Sequence, residues 1–351
     1  MLVYIFCSIL IGNNILRKEK QKEKMIRKVN FYFNIKFVIN ICVGLSLSLG
    51  IARLDKNIIG LGSVAGMISL IFTVIDSVVL YPSIKKIRNL KCNLKEYSRE
   101  IIAENVFLFL PWFAASLFFC VFKVNNNDVV YMICYFGFWI VFDKVSIQAR
   151  KNILKCKPSS NEKIKKIMQN YPLSGYKVYE YNGMNRKIAN AMVDSIFGQG
   201  NVYLSDYLLS ELSEDEIEAI YLHEVGHVKH HHIQIRNFLL IMIMPILYIL
   251  GIAMDKIETV KHINIPIGIA FLFGCLMLYL VFVYLYISRI QEYQADCYAV
   301  MKTKDKGSMC RALQKLNALN DICEKEVDDK SLLRSHPTVK QRINKIEKIQ
   351  I

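Results

Sequence analysis

Two histidines and a glutamate fall within five consecutive residues, His223-Glu224-Val225-Gly226-His227. On a 3.6-residue helix the two histidines share a face one turn apart, so both imidazoles can reach one tetrahedral cation. Glu224 sits beside them, where a carboxylate can take a proton from water activated by a metal. Paired imidazoles with an adjacent carboxylate suit Zn2+ and hydrolysis. The five-residue pattern also recurs by chance, so the rest of the chain has to support it.

A catalytic zinc uses three protein ligands and leaves one position to water. His230, His231 and His232 are read as continuing the same helix, unable to fold back onto the metal, with His231 one turn beyond His227. His262 falls in a short loop between two apolar stretches. The better third ligand is Glu292, in Glu292-Tyr293-Gln294-Ala295-Asp296, which follows His227 by 65 residues. That interval holds two apolar stretches able to carry the chain away and back. Asp296 lies one turn further on the same face, suited to accept a hydrogen bond from a ligand imidazole and fix its tautomer. Cys297, about 100° away around that helix, is read as a packing residue. The simpler reading of Glu292 and Asp296 is a charged helix face beside Arg289.

The elements that must position these residues are set largely by hydropathy. In 351 residues, 53% are hydrophobic and the mean hydropathy is positive, which points to an integral membrane protein. Apolar stretches at 33–52, 57–81, 105–122, 129–142, 237–254 and 265–287 are expected spans, with 129–142 short of the roughly 20 residues a bilayer needs. Residues 1–16 are read as a seventh span rather than a cleaved leader, although translation from Met25 would remove them. The net charge of +15 could indicate nucleic acid, but its distribution argues against that partner. Basic clusters at 17–28 and 85–99 alternate with nearly uncharged turns, as expected for loops facing the cytoplasm and anionic lipid. Ten cysteines without paired spacing are expected to be reduced.

Polar sequence concentrates in two blocks, 143–236 and 288–351, expected on the same cytoplasmic side and folding together. The chain therefore divides into an N-terminal membrane bundle (1–142), a first catalytic block (143–236), a membrane hairpin (237–287) and a second catalytic block (288–351). The fold class is mainly α: a polytopic membrane protein of six or seven spans with a cytoplasmic α+β domain that carries the zinc motif. Within the first block, 176–181, 188–197 and 201–205 read as strands, with Gly198-Gln199-Gly200 as the reversal. Ser213 with Glu216 forms a capping box for the helix that carries His223 and His227. In the second block 287–302 reads as a helix, and Ser335-His336-Pro337 as the start of a final helix ending near Ile351.

With these features in order, the chain resembles the CaaX prenyl protease and HtpX family of integral membrane zinc metalloendopeptidases. The matching residues are Asn190-Ala191-Met192, the capped helix with His223–His227, Glu292–Asp296, and Ser335-His336-Pro337 followed by Arg342. The resemblance implies one Zn2+ per chain on His223, His227 and Glu292, with Glu224 as the base and Asp296 supporting a histidine. It further implies that His336 stabilises the oxyanion and that Asn190, with Ala191, holds substrate backbone on an edge strand. His336 is also open to a capping or core role, Asn190 to a turn role, and Arg342 reads as an ion-pair partner ordering the last helix.

The expected function is zinc-dependent hydrolysis of peptide bonds in membrane-associated, lipidated or misfolded substrates, at the cytoplasmic face of a bacterial membrane. The expected partners are such a peptide or membrane-protein substrate and the lipid bilayer, with no obligate protein partner. Two alternatives stay open: a sensor-type protease that cleaves a repressor, and a non-catalytic scaffold with a vestigial zinc site.

Overall fold

The computed structural model describes residues 128–196, 199–242, 278–320 and 336–351, with further positions between 71 and 98 and at 246 and 275. The stretches expected to span at 33–52 and 105–122, and the expectation for residues 1–16, lie outside the described residues. So do most of 57–81 and large parts of 237–254 and 265–287. Among the described residues no helix is long and apolar enough to cross a membrane. The short stretch expected at 129–142 is part of a longer helix, α1 (Asp128–Ile153).

After α1 come β1 (Lys157–Pro158), α2 (Glu162–Asn170) and β2 (Tyr176–Tyr181), then β3 (Ala191–Ile196) and β4 (Gln199–Ser205). They form a four-stranded sheet in the order β1-β2-β4-β3. β4 is central. It runs parallel to β2 and antiparallel to β3, and its Val202, Tyr203 and Leu204 are fully buried on both faces. Among the described residues β3 therefore ends the sheet, leaving one row of its backbone groups without a sheet partner. The hairpin pairs Ile196 with Gln199, so Gln199 and Gly200 belong to β4 rather than to the reversal expected there.

Beyond β4 come α3 (Asp206–Glu211), α4 (Glu214–Lys229) and α5 (His232–Ile241). A π-helical stretch, Leu280–Leu285, leads directly into α6 (Tyr286–Thr303), followed by α7 (Lys306–Leu319) and α8 (Val339–Ile346). The α4 start is specified locally. The Ser213 side chain accepts from Glu216 N–H while the Glu216 carboxylate accepts from Ser213 N–H, and three acidic residues complement the positive end of the helix.

From Glu216 to Val228 nearly every α4 side chain is buried. α4 is thus the central rod of the domain, packed by α6, α7 and β3. Ile217 and Leu222 join Val202, Val300, Met309 and Leu313 in one continuous core. The polar blocks on either side of the 237–287 interval meet in that core.

α8 begins later than expected. Thr338 is its N-cap, with a reciprocal bond to Gln341, so Ser335-His336-Pro337 precedes the helix rather than opening it.

Candidate metal centre

α4 and α6 approach each other closely because Gly226 has no side chain. A Cβ built there would lie 3.0 Å from Ala295 Cα and 3.2 Å from Tyr298 Cβ. At that contact His223 and His227 from α4 face Glu292 from α6, all three buried. The two Nε2 atoms are 3.1 Å apart. Glu292 Oε2 lies 3.6 Å from His223 Nε2, and Glu292 Oε1 lies 3.5 Å from His227 Nε2. Donors about 2.0–2.1 Å from a tetrahedral zinc would stand about 3.3–3.4 Å from one another. The nearest donor separations are close to that spacing, each histidine facing a different oxygen of Glu292.

Each imidazole is held from behind by a different device. His223 Nδ1 is 2.9 Å from Asp296 Oδ1, the contact expected of Asp296. Asp296 is gripped through both oxygens by Arg342, at 2.8 Å from Nε and 2.5 Å from Nη2. Arg342 Nη1 also lies 3.5 Å from Glu292 Oε2, so it ties α8 to the site as an ion-pair partner. His227 Nδ1 meets His232 Nδ1 at 3.0 Å, and His232 Nε2 meets Gln294 Oε1 at 3.0 Å.

That second contact corrects the reading of the histidine run. α4 ends at Lys229, His231 adopts a left-handed φ of 56°, and His232 opens a new helix. The turn at His231 brings His232 back towards His227. A left-handed histidine costs roughly 1–2 kcal/mol, and no glycine marks the break, so periodicity alone predicts a continuous helix. The available signal was three successive histidines at a point where an uninterrupted helix would leave them without a task.

Burial disfavours charge on His223, but the Asp296 and Glu292 carboxylates outweigh it and hold its pKa up at about 9. Burial, reinforced by His223, pushes His227 down to about 2. Burial would raise Glu292, yet hydrogen bonds from His223 and His336 hold it well below the carboxylate range. Asp296 is likewise held low against burial, by Arg342. Two buried carboxylates, both held low, thus face one imidazole that favours its charged form and one that favours its neutral form. The nitrogen and oxygen donor set of the three residues fits a borderline divalent metal.

Glu224 is buried beside the triangle, its pKa raised by burial, with His223 opposing. Among the described residues its carboxylate has no hydrogen-bond partner, which leaves it free to meet a small molecule. His336 stands at the rim, its side chain 60% exposed, with Nδ1 3.1 Å from Glu292 Oε1. Since Thr338 is the cap, His336 is neither a cap nor a core residue.

Asn190 is exposed just before Ala191, the first residue of β3. Its backbone is pinned to Ser205 through both N–H and C=O. Asn320 clamps the neighbouring Ala189 by accepting from its N–H and donating to its C=O. Asn190 is therefore presented at the outer edge of the sheet. The role of Asn320 left no trace in the sequence, because it pairs residues 131 positions apart.

The sequence model of peptidase family M48 matches residues 156–350, more than half of the chain. The chain belongs to peptidase family M48. CAAX prenyl protease 1 of Saccharomyces cerevisiae is 32% identical over 205 residues, covering 50% of this chain and 44% of that protein. A protease HtpX homolog of Helicobacter acinonychis is 28% identical over 170 residues, covering 42% and 53%. The chain spans about half the length of these curated relatives. The crystal structure of S. mikatae Ste24p shares the fold, with a TM-score of 0.63 at 22% identity over 97% of this chain and 88% of that one. The M48 match takes in α4, α6 and α8, and so every residue of the centre.

Proposed function

We propose that this M48 protein is a zinc-dependent endopeptidase seated in a membrane, hydrolysing peptide bonds of membrane-associated, lipidated or misfolded proteins. The observation that carries this reading is the buried triangle of His223, His227 and Glu292 with the unpartnered carboxylate of Glu224 beside it. Bound at that triangle, zinc supplies Lewis acidity, polarising a carbonyl and acidifying water. Glu224, its pKa already raised by burial, takes a proton from the attacking water and returns it to the leaving amine. An extended substrate adds along the outer edge of β3, where Asn190 and Ala191 offer backbone and amide groups. His336, exposed at the rim, donates to the oxygen that becomes negative.

A membrane seat is supported by where large apolar side chains are left exposed. Ile133, Ile140 and Val141 line α1, Phe238 lies on α5, and Leu278 and Phe282 stand one turn apart. Lipid would cover such a surface, which water does not favour. The lipid bilayer is thus the first partner, the substrate the second, and a bacterial cytoplasmic face the location we assign to the centre.

Metal analysis and turnover of purified, folded variants test the proposal. Glu224→Gln should keep one zinc per chain and lose about 10²–10⁴ in turnover, whereas Glu292→Ala should lose the metal. Stoichiometric zinc in folded Glu292→Ala, or undiminished turnover in Glu224→Gln, would overturn it.

A further inference from the structure

The Asp296 contact accounts for one ligand imidazole and leaves the other to be explained. His227 Nδ1 points away from the metal triangle and meets His232 Nδ1 at 3.0 Å. His232 is itself buried, and its other nitrogen lies 3.0 Å from Gln294 Oε1. An amide oxygen can only accept, so His232 Nε2 must carry the hydrogen in that bond. A neutral His232 is then bare at Nδ1 and can only accept from His227. That in turn places the His227 hydrogen on Nδ1 and leaves Nε2 as a lone pair directed at Glu292 and His223. Each link determines the next, and the chain of hydrogen bonds has a single consistent direction.

We infer that His232 and Gln294 are positioning residues that hold His227 in the tautomer and orientation a metal requires, the counterpart of Asp296 for His223. The inference rests on the metal reading of the site. His232 reaches its place only because the chain turns at the left-handed His231. Gln294 comes from the helix that supplies Glu292, so the relay also couples the orientation of His227 to the placement of the third ligand. Partners of this kind typically govern 10–100-fold in metal affinity.

The test is zinc affinity of the full-length apoprotein, measured by chelator competition, alongside its thermal midpoint without metal. His232→Phe preserves ring volume and abolishes the acceptor, and should weaken zinc binding about 10–100-fold. His232→Asn restores an acceptor and should recover part of that loss, which a purely structural role would not produce. Gln294→Leu should weaken binding towards the lower end of the same range, because it frees the His232 tautomer without removing the ring. His230→Ala, an exposed neighbour stacked on His232 at 5.4 Å, should leave zinc affinity unchanged. If His232→Phe fails to fold, Gln294→Leu carries the test. Zinc affinity within threefold of wild type in folded His232→Phe or, in its place, Gln294→Leu would overturn the inference. Failure of the wild-type protein to bind one zinc would instead overturn the metal reading itself.

Discussion

The floor and the rim of the metal centre are built on opposite principles. On the floor, His223, His227, Glu292 and Asp296 are each less than 10% exposed, and each has partners on a second helix. At the rim, His336 is 60% exposed, and among the described residues its ionic contact is with Glu292. Burial strengthens every electrostatic interaction on the floor and makes any unpaired group there costly, so the floor has one arrangement. The rim leaves a donor free to engage whatever arrives. The proposed function, a metal held throughout and a substrate held briefly, would use both.

This contrast fails if rim and floor variants behave alike. Between His336 and the residues that support the ligands from behind, the larger effect is expected at the rim. His336→Phe should lower kcat about 10²–10³-fold with metal content intact. If metal is lost instead, its 3.1 Å contact with Glu292 is the important one, and His336 belongs to the floor.

Asp296→Asn should do the reverse, weakening zinc binding about 10–100-fold by removing the carboxylate that both His223 and Arg342 require. Equilibrium dialysis of the folded variant would show it. Gly226→Ala sharpens the floor further. The added methyl must push α6 away at Ala295, three residues from Glu292, and should cost about 1–3 kcal/mol in thermal unfolding.

The smallest effect is expected at the turn between α4 and α5. His231→Gly should be neutral or slightly stabilising, since glycine accepts the positive φ freely, and His231→Val should cost about 1 kcal/mol or more. Chemical denaturation of the pair measures the difference directly.

What the sequence revealed of this site follows the range of the interaction. β2 was read with its observed ends, and the Ser213 capping box was read in full, because alternation and capping are local. Glu292 and Asp296 were legible because four-residue spacing on a helix is also local, and the two apolar stretches before them explain how the chain returns. The start of α8 was misplaced because Pro337 resembles a first helical residue, although Thr338 with Gln341 carried the true capping signal. His232 was misread because its position depends on one backbone angle at His231 that no residue type announces. Asn320 was missed because its partner is distant in sequence.

The order in which the chain emerges during synthesis has a consequence for when this protein can act. His223 and His227 appear first, as two imidazoles on a helix whose partner does not yet exist. Glu292 follows 65 residues later, and Arg342, which locks Asp296 behind His223, lies 119 positions after that histidine. Metal affinity of such a set grows with folding itself, since the donors converge only once α4, α6 and α8 have docked. A ribosome-bound chain shorter than Arg342 therefore carries an incomplete centre. The metal-binding geometry is completed only when the last of these helices has docked.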